Sequence, residues 1–386
     1  MNRTVLLLST ATRWLGTARM PRALALAGFD VALIAPKGSL ALHSRFVSKA
    51  AVLSETALAI EVLHTLIRMV DKVSPRLLLP CDEMAVRLLF ELALDPPDGL
   101  PADVAKKLSE LIAFSLGDRR HYAVSIDKTL LPRAAEEIGV SMPPGTVAGS
   151  LDEGVAFAEA QGYPVVVKRR FGFAGAGLAI VRSRGEMEDA MRRLMRRDQL
   201  DLGAQDASGV LVQAFVTGPH ISQAVVSLDG ETLAGFAWER FAATRAVAGQ
   251  STVLRPVDSP ETRRSTERLC RALSISGFSN MQFVIDASTN AAHLLEINRR
   301  IVTHTHLGHR FGADLAQALY DRLTGRAPTP KSIDLAGEAT PVVVFPREWL
   351  NDPASPHLRE YPVDAPWDDP ALFAALLRMR HEIEAV

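Results

Sequence analysis

Tyr163-Pro164-Val165-Val166-Val167-Lys168-Arg169-Arg170-Phe171-Gly172-Phe173-Ala174-Gly175-Ala176-Gly177 is the stretch on which the reading turns. Val165 to Val167 read as a short buried strand that delivers Lys168. A glycine-rich loop follows at once, and Leu178-Ala179-Ile180-Val181 supplies a second strand. Successive glycines let backbone amides approach phosphate oxygens, and a neighbouring lysine neutralises them. This is not a Walker loop, because GKS and GKT are absent and the loop joins two strands. Taken alone, the same residues also fit a glycine hairpin beside an ordinary surface lysine.

Downstream, Asn280-Met281-Gln282-Phe283-Val284-Ile285-Asp286 reads as a strand and Ala287 to Asn290 as its turn. The returning strand, His293-Leu294-Leu295-Glu296-Ile297-Asn298, places Glu296 and Asn298 on one face by the period of two. Gln282 can lie across from them. Three oxygen-bearing side chains on one sheet face suit Mg²⁺ that also takes phosphate oxygens and water. Arg300 adds a fixed positive charge for a phosphoryl group in transfer. A solvated polar sheet face is the alternative. Between the two constellations, Val210 to Val216 reads as a strand entering a Thr217-Gly218-Pro219-His220 bend. Strands at 221–228 and 232–238 are joined by the hairpin dipeptide Asp229-Gly230.

The amino-terminal third predicts an open parallel α/β sheet. Apolar runs at 4–8, 31–34 and 77–79 alternate with helical stretches at 19–27 and about 55–71, a βαβ order. Ala50 to Val70, the most apolar long stretch, carries Glu55, Glu61 and Arg68 and reads as an amphipathic soluble helix, not a membrane span. Asp82 follows a strand end, where it is either a ligand contact or a helix N-cap. The first loop, Ser9 to Thr17, has no GxGxxG. Residues 85–115 read as helical with a break at 95–99, and a further helix includes Asp127-Lys128 and ends near Gly139. Met142-Pro143-Pro144-Gly145 forms a stiff seam.

Composition narrows the function. The 386 residues are 48% hydrophobic and 23% charged, with 43 basic against 44 acidic side chains and a net charge of −1. That balance argues against a strongly basic nucleic-acid binder or a polybasic membrane protein. Cys81 and Cys270 are the two cysteines, so no disulfide framework is expected and a reducing cytoplasm fits. The apolar run at residues 5–8 breaks at Ser9, short of the roughly 7–15 residues of a secretory h-region.

The ordered set of motifs resembles the ATP-grasp superfamily, in the branch similar to carbamoyl-phosphate synthetases and biotin carboxylases. The matching segments are Asp127-Lys128, Val167-Lys168 with its glycine loop, and Val212 to Gly218. Asn280 to Phe283, Leu295 to Arg300, and Phe311-Gly312-Ala313-Asp314-Leu315 through Gly325 complete the set. The resemblance implies a two-lobed α+β module with antiparallel sheets after the parallel domain, divided as 1–115, 116–205, 206–330 and a 331–386 extension. It implies that Lys128 and Lys168 contact ATP phosphates under a closing loop with Gly172, Gly175 and Gly177. Adenine meets the connector at Gln213, Ala214 and Val216, and His220 stands where a ribose-binding glutamate is common. Gln282, Glu296 and Asn298 then hold Mg²⁺ or Mn²⁺, with Arg300 and Lys168 in catalytic roles. Arg169 and Arg299 replace prolines frequent in the family.

The expected function is an ATP-dependent ligase that turns a carboxylate into an acyl phosphate for attack by an amine or other nucleophile. A kinase of the same fold and a nucleotide-binding regulatory protein are the alternatives. The partners are small-molecule substrates, not nucleic acid or membrane, and a homo-oligomer is left open. No biotin-carrier or glutaminase segment is recognisable. His304, His306 and His309 read as a substrate-pocket wall, as a helix turn or as a zinc set, and Arg192, Arg193, Arg196 and Arg197 as a solvated helix face. For the tail, an added edge strand at Val342 to Phe345 and irregular wrapping with buried tryptophans are expected, with no chemical role.

Overall fold

A computed structural model describes residues 2–172, 177–195, 209–244, 249–327 and 340–384. Gly175, Arg196 and Arg197 lie outside the described residues. The chain begins with β1 (Thr4–Leu8), α1 (Leu15–Ala27), β2 (Asp30–Pro36), β3 (Lys49–Leu53), α2 (Ala59–Val73), β4 (Leu77–Pro80), α3 (Glu83–Leu94) and α4 (Ala102–Leu116). The four strands form a parallel sheet in the order β3-β2-β1-β4. Val5 to Leu8 of the central strand β1 and Leu77 to Leu79 of β4 are buried, as a parallel sheet covered on both faces requires. The expected amphipathic helix over 50–70 is corrected by β3. Its Ala32↔Lys49 to Pro36↔Leu53 pairing satisfies one row of backbone groups at a sheet edge, where no helical periodicity is needed.

Next come α5 (Tyr122–Ile126), α6 (Leu131–Ile138), β5 (Gly145–Ala148), α7 (Leu151–Gln161), β6 (Val165–Arg169), β7 (Leu178–Val181), α8 (Arg184–Leu194) and β8 (Val210–Ala214). These four strands form an antiparallel sheet, β5-β8-β6-β7. Helices α7 and α8 cover it through Val155, Ala158, Met187 and Met191, packed on Val165, Val167, Val210 and Val212. Both helices start with a reciprocal cap. Ser150 accepts from the Glu153 amide and Ser183 from the Glu186 amide, while each glutamate accepts from the backbone just before its serine. Asp127-Lys128 lies in the turn between α5 and α6, not within a helix, because Asp127 takes the Thr129 amide and hydroxyl. The expected division at 205/206 runs through this lobe's own sheet, since β8 completes it.

The remaining elements are β9 (His220–Leu228), β10 (Glu231–Ala243), β11 (Ser251–Val257), α9 (Pro260–Ala272), β12 (Gly277–Ile285), β13 (Ala292–Asn298), α10 (Leu315–Thr324), β14 (Val342–Val343), α11 (Arg347–Asn351), α12 (His357–Glu360) and α13 (Pro370–Glu384). Six strands make an antiparallel sheet in the order β13-β12-β9-β10-β11-β14. Asp229 and Gly230 both take positive φ, as a tight right-twisting hairpin demands. The tail thus adds the edge strand expected of it. Its tryptophans are not all buried, however: Trp367 is 70% exposed, with its ring 4.9 Å from Phe373.

The parallel domain and the large sheet share one core. Val5, Leu7, Leu24 and Leu79 join Trp238, Leu254, Phe278 and Leu319 in it. A second tie is a backbone bridge between Gly117 and Ile275 at the end of α4. Gly117 has φ +95°, and a Cβ there would lie 1.9 Å from the Ser274 carbonyl oxygen. Glycine is required on both counts. Gly117→Ala should lower stability by about 2–3 kcal/mol through backbone strain and overpacking, measured by urea denaturation. An unchanged midpoint would mean that this seam does not join the two units.

Candidate active site

A cleft of about 460 Å³ lies between the small lobe and the six-stranded sheet. Lys128, Lys168, Gly172, Gly177, Gln213, Ala214, Val216, His220, Gln282, Glu296, Asn298 and Arg300 all line it. The structure therefore brings together every site residue expected from sequence that is described. Gly175 is the one that lies outside the described residues.

On the small-lobe side, β6 carries Lys168 into the cleft, where its ammonium donates to the Leu295 carbonyl at 3.2 Å. That bond crosses from one lobe to the other. Burial pushes the Lys168 pKa down to about 8, Glu296 opposes the shift, and the charge of Lys128 adds to it. Lys128 donates to the Gly172 carbonyl at 2.6 Å, and its amide donates to the Arg170 carbonyl at 3.0 Å. Asp127 is buried and paired with Arg170, which fixes the turn that presents Lys128. Arg169 turns away, donating to the Leu194 carbonyl at 3.2 Å. The loop root is thus tied at both lysines.

At the connector, Gln213 is buried and donates to the Pro143 carbonyl at 3.2 Å, while its Oε1 has no partner. The Ala214 amide is spent on the Pro144 carbonyl at 2.8 Å, so this residue offers no free donor. Among the described residues the Val216 amide makes no backbone hydrogen bond. His220 opens β9 and faces the cleft. His220 is solvent-exposed at the cleft mouth, and partial loss of water together with the charges of Arg240 and Lys168 holds its imidazole pKa below the ordinary value. It is neutral at pH 7.

Strands β12 and β13 build the opposite wall. Gln282 is register partner of Glu296, and Asn280 of Asn298. Asn298 donates to Glu296 Oε1 at 3.0 Å and accepts from Arg300 at 3.0 Å. Arg300 also pairs with Glu83 at 3.2 Å, from the first turn of α3 in the parallel domain, and its guanidinium lies 4.8 Å over the Trp14 ring. Arg299 points the other way. It donates to the Leu116 carbonyl and to Ser125 Oγ at 2.9 Å, and burial pushes its pKa down to about 10.

The oxygens of Gln282, Glu296 and Asn298 are the hard donors that Mg²⁺ takes, with one carboxylate among them. Among the described residues no three His, Cys, Asp or Glu side chains cluster to hold a metal, so the amides are indispensable to such a set.

Several cleft residues carried no signal in the sequence. Trp14, Trp238, Arg240 and Arg347 line it, the last from α11 in the tail, to which no chemical role had been given. Trp238 and Arg240 alternate on β10, which is the one pattern that could have exposed them. Of the three histidines, only His304 lines the cleft. His306 pairs with Asp364 at 2.7 Å, and His309 bonds the His306 carbonyl at 2.8 Å, so no zinc set forms. Asp82 caps α3 through the Ala85 amide at 3.0 Å and also accepts from Ser9 and Thr10, which settles it as a structural anchor. Cys81 and Cys270 are free and buried, and burial raises both thiols.

Residues 127–320 match the profile of a family described as the carbamoyl-phosphate synthase L chain, ATP binding domain. The chain is 26% identical over 219 residues to the carbamoyl phosphate synthase large chain of Xylella fastidiosa, covering 54% of this chain and 20% of that one. It spans about a fifth of that relative's length. A biotin carboxylase–β,γ-ATP complex from Campylobacter jejuni superposes with a TM-score of 0.65 at 16% identity, over 88% of this chain and 74% of that chain. The biotin carboxylase domain dimer of Hydrogenobacter thermophilus 2-oxoglutarate carboxylase, with MgADP and bicarbonate, gives 0.63 at 17%, over 86% and 72%. These two structures establish the fold.

Lys168 makes a direct stability test possible. Its pKa in the fold lies below the 10.5 of a free lysine, so carrying the charge inside costs stability at pH 7. That cost fades as pH rises from about 8 through the unfolded value. Lys168→Met should therefore be more stable than the native chain at pH 7, by on the order of 1 kcal/mol. The gap should narrow above pH 9. Equal or lower stability of the variant at pH 7 in chemical denaturation would show that the lysine is not held against its solvation.

Proposed function

Since the chain belongs to the family of ATP-binding domains of the carbamoyl-phosphate synthase L chain, with an ATP-grasp fold, we propose that it is an ATP- and Mg²⁺-dependent ligase. A substrate carboxylate oxygen attacks the γ-phosphorus of ATP, ADP leaves, and an acyl phosphate forms. An amine or other nucleophile then bonds to the acyl carbon, and phosphate leaves with the electron pair of the broken C–O bond. The nucleophile's proton passes to phosphate or water. The observation that carries this reading is the meeting of Lys128, Lys168, Glu296, Asn298 and Arg300 in one cleft.

In this reading Lys128 and Lys168 neutralise phosphate oxygens, and the connector at Gln213 to Val216 receives the adenine edge. With the Ala214 amide engaged, the Val216 amide is the donor that the base meets. Neutral His220 accepts from, or donates to, a ribose hydroxyl. Gln282, Glu296 and Asn298 would hold Mg²⁺, which when bound screens the phosphate charge. Arg300, fixed by Glu83 and Trp14, offers its remaining N–H to the transferred phosphoryl group. Such chemistry rests on positioning and charge more than on a protein nucleophile, in keeping with the two inert thiols. Among the described residues no helix is long and apolar enough to cross a membrane. A cytoplasmic enzyme with small-molecule substrates is the corresponding setting, and the dimer named for one structural neighbour supports self-association.

Incubation with ATP, Mg²⁺ and paired carboxylates and amines should release ADP and phosphate. ADP with a stable phosphorylated product would instead identify a kinase, and AMP with pyrophosphate would refute the acyl-phosphate route. Glu296→Gln keeps the shape of the metal set and removes its single carboxylate charge. Turnover should fall by on the order of a hundredfold while calorimetry still detects ATP. Undiminished Mg²⁺-dependent turnover would place the metal elsewhere.

A further inference from the structure

We propose that Arg87 is a positioning residue for the ATP site: from α3 it holds Phe171 at the root of the glycine-rich loop, so that the parallel domain sets the spacing between Lys128 and Arg300. The inference rests on the ligase reading and adds a working part to it. The Arg87 guanidinium lies 4.1 Å from the Phe171 ring centroid, and both side chains are buried. Phe171 stands between the two residues that Lys128 grips, since the Lys128 amide donates to the Arg170 carbonyl and its ammonium to the Gly172 carbonyl. Arg170 lies 5.0 Å from the same ring and pairs with Asp127, the neighbour of Lys128. A displacement of the Phe171 ring is therefore a displacement of the carbonyls that fix Lys128.

One turn earlier on the same face of α3, Glu83 holds Arg300 at 3.2 Å. Glu83 and Arg87 stand outside the residues lining the cleft, yet both act on groups inside it: Glu83 on Arg300 directly, Arg87 on Gly172 and Lys128 through Phe171. The helix itself is pinned. Asp82 caps it through the Ala85 amide and accepts from Ser9 and Thr10, at the start of the loop whose Trp14 ring lies against Arg300. Leu89 and Phe90 of α3 pack into the core of the parallel domain, whereas Arg87 leaves it for the small lobe. Burying a guanidinium carries a desolvation cost that an aliphatic side chain would avoid. Glu91, 3.3 Å away, offsets the charge, and the ring face receives it. What the cation adds over plain packing is a defined place for the ring.

The test measures binding of AMP and of the non-hydrolysable ATP analogue AMP-PCP to the full chain by calorimetry with Mg²⁺. Arg87→Met and Phe171→Leu should each weaken AMP-PCP by about tenfold, and their losses should not add in the double variant. AMP lacks the outer phosphates and should bind the native chain and the variants alike, a split that general damage to the fold does not produce. Arg87→Lys keeps a cation and Phe171→Tyr keeps a ring, so each should recover part of the loss. If urea denaturation shows that Arg87→Met does not fold, Phe171→Leu against Phe171→Tyr carries the same comparison. AMP-PCP affinity indifferent to Arg87 or to the ring at 171, fully additive losses, or an equal loss of AMP would overturn the proposal. Failure of the native chain to bind AMP-PCP would overturn the ligase reading along with it, so the native chain alone tells the two failures apart.

Discussion

Two adjacent arginines after β13 hold the molecule's parts in register. Just past the end of β13, Arg299 enters the protein while Arg300 enters the cleft. Arg299 reaches the last turn of α4 and the α5 helix, with its guanidinium 5.6 Å from the Phe90 ring. Arg300 reaches Glu83 at the start of α3. The wall that carries Glu296 and Asn298 is therefore tied to the parallel domain on both faces. Burying two guanidinium groups is costly, and here the return is a fixed geometry more than added stability.

Much of this architecture was legible in local chemistry. Uninterrupted apolar runs marked strands of the parallel sheet, Gly139 marked a helix end, and Asp229-Gly230 marked a hairpin. Part of the cleft was legible locally: a period of two put Glu296 and Asn298 on one face, Gln282 was expected across from them on the partner strand, and Arg300 follows two residues on. What stayed hidden was set by tertiary pairing. The edge strand β3 is defined by backbone bonds to β2 and has no periodic signature of its own. Glu83, Trp14 and Arg347 come from three distant segments that meet only in the folded chain. Asp82 read as a helix cap before a ligand contact, and both readings stood open because both uses want an acid after a strand.

The tail is fastened by acids. Asp364 accepts from Arg19 at 2.8 Å and from His306 at 2.7 Å. Burial would raise its carboxyl, but Arg19 and His306 outweigh that and hold it well below the usual carboxylate range. Asp368 pairs with Arg22 at 2.7 Å, and Asp369 accepts from Ser44 at 2.6 Å. These bonds lash the tail to α1 and to the connection between β2 and β3, while β14 adds to the edge of the large sheet. Arg347 is consequently positioned from two sides.

That placement has a consequence for descent. The groups assigned to ATP and Mg²⁺ in the proposed reaction lie mainly on β6, β12 and β13, whereas Arg347 belongs to a peripheral segment joined to the sheet by one short strand. Mutations in such a segment can retune what enters the cleft while β6, β12 and β13 are inherited unchanged. A lineage built this way can diversify its substrates by drift at its margin, with the nucleotide chemistry kept as common property.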